Sequence, residues 1–166
     1  MKKRWICLFV ENEIGVLVRI SGLFSGKSYN LDSLTAGVTE DSTVSRMTIS
    51  LTSDDRTFEQ IKKQLGRSVE VIKVVDYTDT PIHMKEILFV KVNHCTDVDI
   101  TELFRISKVY GAAVIDYDGD TVLLECTQTE NRNDDLIALL KRKFANRIEV
   151  VRGGSVAVEA VSMSER

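Results

Sequence analysis

The sequence predicts an α+β protein of two successive β-α-β-β-α-β units, and three observations carry that prediction. Apolar stretches with strand alternation and amphipathic stretches with helical period follow one another in the same order twice, first from Trp5 to Val75 and again from Ile87 to Arg152. The polar stretch between them, Asp76 to Glu86, holds the only proline, Pro81, and breaks the pattern. The 166 residues suffice for two small units, each just large enough to bury its own core. This element order is the split, ferredoxin-like arrangement, an antiparallel sheet with two helices on one face. The expected division is 1–77, a linker 78–86, and 87–166.

Trp5 to Glu11 reads as a strand with Ile6, Leu8 and Val10 facing one way and Trp5, Cys7 and Phe9 the other. Both faces are apolar, so both should be covered. The helix that follows, about Val16 to Lys27, presents Val16, Leu17, Ile20, Leu23 and Phe24 as one apolar stripe. Gly22 interrupts it at a cost of ~1 kcal/mol relative to alanine, which marks either a close helix contact or a tolerated weakness. Leu34, Ala36 and Val38 alternate on the next strand, and Met47, Ile49 and Leu51 on the one after a polar turn at Glu40 to Thr43. A second helix from about Asp55 buries Phe58, Ile61 and Leu65, with Ser53 or Asp54 as its cap, and Val69 to Val75 closes the first unit. In the second unit the expected elements are strand Ile87 to Val92, helix Asp99 to Val109, and strands Ala112 to Tyr117 and Thr121 to Cys126. Asp118-Gly119 is the hairpin signal between those two strands. Helix Asn133 to Phe144 and strand Arg147 to Arg152 follow, and Gly153-Gly154 is expected to turn the chain into a short strand, Val156 to Ala160.

Apolar content of 43% and charged content of 28% are ordinary for a globular protein, and a net charge of −3 offers no electrostatic reason to bind nucleic acid or an anionic membrane. No apolar run approaches the ~18 residues of a membrane-spanning helix. The first strand starts at about Arg4, leaving no room for a targeting peptide, so a cytoplasmic location is expected. Cys7, Cys95 and Cys126 are widely spaced and form no C-x-x-C pair, and His83 and His94 lie at no zinc spacing from a cysteine pair. Buried reduced thiols are expected, with neither disulfide nor metal.

The stretch Glu11 to Leu34, ENEIGVLVRISGLFSGKSYNLDSL, concentrates the unusual chemistry. The chain leaves a strand through Asn12 and Gly15, enters a helix, and turns again through Ser28 and Asn30 into a strand. Both turns are expected at one edge of a sheet. A glycine-containing strand-to-helix turn aims unpaired N–H groups and the positive end of a helix dipole at one spot, which suits a carboxylate or phosphate. The spot therefore reads as a receptor for a small anion-bearing ligand. The plainer readings stand beside it: Gly15 as a tight-turn residue, Asn12 as a helix cap, Asn30 as a turn residue, and Arg46 as a solvated charge.

With its continuation SLTAGVTEDSTVSRMTIS, this stretch resembles the amino-terminal ACT domain of the small, regulatory subunits of acetolactate synthase, also called acetohydroxyacid synthase. The motifs NExxG, RxSGLF, YNxxSLT and SRMTI occur in the family's order at nearly its spacing. The resemblance continues more weakly to nearly the end of the chain, since the family carries a second α+β domain of this size. It implies that a branched-chain amino acid, valine or a relative, binds where two ACT domains meet in a homodimer. Asn12 and Gly15, with the backbone N–H groups of Val16 and Leu17, match positions that hold the effector from one protomer. Asn30 and the backbone of Leu31 match those supplied by the other. Amides would hold the carboxylate and carbonyl oxygens the ammonium, so no buried ion pair is needed. The SRMTI pattern also gives Arg46 a role between subunits. Two departures stand out: Ser28 where members commonly have glycine, and Ile14 where many carry a small residue or proline.

No catalytic constellation accompanies this turn. No nucleophile elbow surrounds Ser25 or Ser45, Asp54-Asp55 reads as helix capping, and Gly15, Gly22 and Gly26 make no phosphate loop. The resemblance implies a non-catalytic subunit that activates the acetolactate synthase catalytic subunit and confers feedback inhibition. Thiamine diphosphate, FAD and magnesium would then belong to that partner, and no cofactor to this chain. A stand-alone ACT-type sensor of another enzyme is the alternative, and a small enzyme or scaffold built on the second unit a more distant one.

Overall fold

A computed structural model describes residues 1–26 and 29–162. Twelve elements follow in the order β1 (Lys2–Glu11), α1 (Val16–Ser25), β2 (Ser33–Val38), β3 (Val44–Ser53), α2 (Asp55–Leu65), β4 (Val71–Asp76), β5 (Ile82–Val92), α3 (Asp97–Tyr110), β6 (Ala113–Asp118), β7 (Thr121–Gln128), α4 (Glu130–Lys143) and β8 (Ile148–Glu159). The β-α-β-β-α-β order therefore occurs twice, as expected. Two compact units result, one of residues 1–83 with the segment from Ser155 onward, the other Met84–Gly154.

In the first unit the strands lie in the order β2-β3-β1-β4, all pairs antiparallel. Strand alternation sends Ile6, Leu8 and Val10 of β1 and Met47, Ile49 and Leu51 of β3 to one face, with Ile6 opposite Ile49 and Leu8 opposite Met47. Val16, Ile20 and Phe24 of α1 and Phe58, Ile61 and Leu65 of α2 close the core over that face. Leu17, expected in the stripe, is half exposed, because the stripe follows the i, i+4, i+8 row through Val16. No close helix contact occurs at Gly22, where an added Cβ would meet nothing within 4 Å. Asp54 caps α2, its Oδ1 accepting from the Thr57 amide at 2.9 Å. The expected extension of α1 to Lys27, and Ser28 beyond it, lie outside the described residues.

The helix-free face of this sheet is also covered, as the apolar second face of β1 requires: Cys7 is fully buried. Part of its cover is the second half of β8. The Thr35 hydroxyl donates to the Ser155 carbonyl at 3.0 Å, the Ser155 amide to Ser33 Oγ at 3.1 Å, and the Ala160 amide to the Pro81 carbonyl at 2.9 Å.

In the second unit the order is β6-β7-β5-β8. Leu88, Val90 and Val92 of β5 and Val122, Leu124 and Cys126 of β7 pack beneath Leu103 and Ile106 of α3 and Leu136, Ile137 and Leu140 of α4. A capping box starts α3: the Asp99 amide donates to Thr96 Oγ1 at 3.3 Å, and the Thr96 amide to Asp99 Oδ2 at 3.0 Å. Gly119 takes the left-handed conformation in the β6–β7 hairpin, φ +52°.

Two strands depart furthest from the sequence reading. β5 begins at Ile82, inside the stretch read as linker, its inward alternation continuing from Val92, Val90 and Leu88 through a charge, Glu86, to Met84 and Ile82. Glu86 is 4% exposed and is satisfied by Arg152, whose Nε and Nη2 donate to its two carboxylate oxygens at 2.8 Å each, and by Asn133 Nδ2 at 3.1 Å. The expected turn at Gly153-Gly154 is absent. β8 runs through both glycines, Gly153 lying so close to Ile87 that an added Cβ would stand 2.5 Å from Ile87 Cγ2, and Gly154 adopting φ +79°.

Candidate functional site

The turn between β1 and α1 is built by the register of β1 against β3. Glu11 lies opposite Val44, and the Asn12 amide donates to the Thr43 carbonyl at 2.7 Å. The Asn12 side chain then bridges to the β2–β3 hairpin, its Nδ2 donating to the Ser42 carbonyl and its Oδ1 accepting from the Ser45 hydroxyl, both at 2.9 Å. Asn12 is thus not the helix cap; Gly15 occupies that position, with φ +85° and ψ −7°. This left-handed conformation is the reason for glycine here. Without a side chain, Gly15 offers no capping oxygen, and the first turn of α1 carries no acidic residue. The Val16 amide reaches the Glu13 carbonyl at 3.3 Å, and the Leu17 amide belongs to the same first turn, where helical N–H groups lack intrahelical acceptors.

The sequence reading missed Arg19. Its Nη1 stands 3.2 Å from the place a Gly15 Cβ would occupy, and its Nε pairs with Glu70 Oε1 at 2.5 Å. The signal was present in the spacing, since residue 19 lies one helical turn beyond Gly15. The Glu70 carboxyl is held below its ordinary range, first by the Ser68 hydroxyl at 2.7 Å and then by its own amide and Arg19. The turn therefore combines first-turn amides, one side-chain amide and a guanidinium already partnered by a carboxylate.

Asn30 and Leu31 lie beyond the other end of α1. Asn30 is exposed, Leu31 packs on the core, and the Asp32 amide donates to the Ser50 carbonyl at 2.8 Å. The expectation that both turns share one edge of the sheet is overturned. One lies at Val44 on β3 and the other at Ser50, six positions along the strand, roughly 20 Å. A ten-residue helix, about 15 Å long, separates them as well. A strand-helix-strand connection must deliver the chain back to the opposite end of the sheet. Asn12, Gly15, Val16 and Leu17 form one group and Asn30 with Leu31 another, and one chain does not bring them together.

The other reactive side chains are dispersed. His94 is exposed, its Nδ1 3.4 Å from Asp120 Oδ2, whereas the neighbouring Cys95 is buried and its thiol donates to the Val92 carbonyl. Burial pushes the thiols of Cys95 and Cys126 upward, away from the reactive thiolate. All three cysteines are buried and unbonded to one another. Arg46 is no solvated charge: it is half-buried, and its guanidinium bonds to Cys7, Tyr77 and Ala157. No helix among the described residues is long and apolar enough to cross a membrane.

The ferredoxin-like first unit, with its glycine-started helix and the amide-rich turn beside it, is of the ACT type by its family match. Residues 6–73 match the family described as the AHAS small subunit-like ACT domain, and residues 85–161 match the small subunit of acetolactate synthase. The acetolactate synthase small subunit of Aquifex aeolicus is 38% identical over 158 residues, covering 95% of this chain and 81% of that protein. The Bacillus subtilis small subunit is 36% identical over 156 residues, covering 93% and 89%. The crystal structure of the acetolactate synthase small subunit from Thermotoga maritima superimposes with a TM-score of 0.86 at 28% identity, covering 98% of this chain and all of that one. The chain belongs to the family of acetolactate synthase small subunits.

Proposed function

We propose that this protein is the regulatory subunit of an acetolactate synthase in branched-chain amino-acid biosynthesis. It binds the catalytic subunit, raises its activity, and relays feedback inhibition by valine or a related branched-chain amino acid. Thiamine diphosphate, FAD and magnesium reside on the catalytic partner, and the complex works in the cytoplasm. The observation that carries the reading is the pair of family matches, which together span both units in order.

The first unit, residues 1–83 with the segment from Ser155 onward, serves as the effector module, and Met84–Gly154 forms the second domain. Asn12, Gly15, Val16 and Leu17 of one protomer hold the amino acid together with Asn30 and Leu31 of another. The separation of these two groups within one chain supports a site completed by a second copy. So do the exposed apolar residues beside it: Ile14 in the turn, Leu17 and Val18 on α1, and Val38 on the edge strand β2. Effector bound across that interface favours one arrangement of the complex over another, which is what inhibition requires.

Calorimetric titration with valine, leucine and isoleucine, alone and with the catalytic subunit, tests the reading. Saturable binding of one amino acid, lost in both Asn30→Ala and Gly15→Asp, is expected, with activation of the catalytic subunit retained. A chain that neither binds nor activates an acetolactate synthase catalytic subunit would instead be a free-standing sensor.

A further inference from the structure

Asn12 is held by the β2–β3 hairpin through Ser42 and Ser45. The next residue on β3, Arg46, projects to the opposite, helix-free face, between Phe9 of β1 and Gly37 of the edge strand. There Nε donates to Cys7 Sγ at 3.1 Å, and Nη2 to the Tyr77 hydroxyl at 3.2 Å and the Ala157 carbonyl at 2.7 Å. The guanidinium also lies 5.4 Å from the centre of the Phe9 ring. Ala157 belongs to the second half of β8, where Ser155 and Ala157 are buried while Val156 and Val158 are exposed, so the segment lies as a strap with one face on the sheet. Its other bonds to the sheet and to Pro81 join neutral groups; the bond from Arg46 is charge-assisted and the stronger kind.

We propose that Arg46 is the positioning residue of the effector response. It ties the strap to β3 one residue from the anchor of Asn12, so that the state of the effector turn and the docking of the strap are coupled through that strand. The proposal rests on the effector reading above. An amino acid that engages the Asn12 amide, through its second N–H or the second lone pair of its oxygen, alters the bonds that hold it to Ser42 and Ser45, and that change passes along the β3 backbone to Arg46. Coupling of this kind is reciprocal: whatever factor the docked strap adds to effector affinity, bound effector adds to the docking of the strap.

The test uses the full chain with its catalytic subunit and valine as the probe. Valine affinity is measured by calorimetry, inhibition by activity, and strap docking by hydrogen exchange at the Ser155 and Ala160 amides. In the wild type, valine is expected to slow exchange at both amides. Arg46→Met is expected to raise their exchange and weaken valine binding, each about tenfold, while valine-free activation stays unchanged. Arg46→Lys, which keeps a cation able to reach the Ala157 carbonyl, restores most of the response. Thr35→Val, which removes a neutral strap bond, shifts both quantities in the same directions by less, and serves if Arg46→Met does not fold. Faster strap exchange with unchanged valine affinity and inhibition overturns the proposal, leaving Arg46 a purely structural residue. Failure of the wild-type complex to bind valine, leucine or isoleucine overturns the effector reading itself, and the coupling with it.

Discussion

Asp76, at the end of β4, shows how single residues set the pH response of the first unit. Its burial raises the pKa, but hydrogen bonds from Lys62 Nζ and the Thr78 amide, both at 2.9 Å, outweigh that and hold the carboxyl below 3.8. A carboxyl whose folded pKa lies below its unfolded value contributes stability that is present above the unfolded pKa and lost as pH falls through the folded one. Asp76→Asn should therefore lower stability near neutral pH, and its deficit relative to wild type should begin to shrink as pH falls below about 4 and disappear only once pH has passed below the lowered folded pKa. Denaturant titrations of both proteins from pH 7 to pH 2.5 check this; a constant difference across the range would mean that the carboxylate's charge is irrelevant. Glu86 is the complementary case. Its burial was invisible in the sequence because a charge on an apolar alternation looks like a break, and Arg152, 66 positions away, makes it tolerable together with Asn133.

Among the elements, β8 departs most from its sequence signal. Two adjacent glycines ordinarily mark a turn, yet here they let one strand pass closely over a neighbour and continue. Gly153→Ala should lower stability by about 1–3 kcal/mol, since its Cβ would collide with the Ile87 side chain. In an Ile87→Ala background most of that cost should vanish, and a double-mutant cycle by urea denaturation measures the coupling. Equal costs in both backgrounds would assign the effect to the backbone of Gly153 instead. α1 teaches a related point. Its apolar residues are all legible, but the division into a buried row through Val16, Ile20 and Phe24 and an exposed pair, Leu17 and Val18, depends on how the helix lies on the sheet.

For the whole molecule, the proposed effector site has the consequence that binding and dimerisation are linked. If the two groups at opposite ends of α1 are joined only between copies, valine must bind the dimer more tightly than the monomer. Sedimentation across a dilution series should show the dimer dissociating at lower protein concentration when valine is saturating, and apparent valine affinity should weaken as the dimer is diluted out. Dimer affinity independent of valine would argue against an interface site.

The α+β class, the twofold repetition of elements, the core positions of the first sheet and the family were legible from the sequence alone. All of these follow from local periodicity and from motifs that lie close together along the chain. The glycine-started helix was equally legible, because a left-handed residue at a strand-to-helix turn is a local demand. Tertiary structure decided what depends on contacts between distant residues: the Asn12 link to Ser42 and Ser45, the Arg19 pair with Glu70, the separation of the two effector groups, and the course of β8 over the helix-free face. There Arg46 finds Ala157, 111 positions away along the chain. No window of sequence encodes such a pairing, since it is set by which faces two strands present once the sheets have formed.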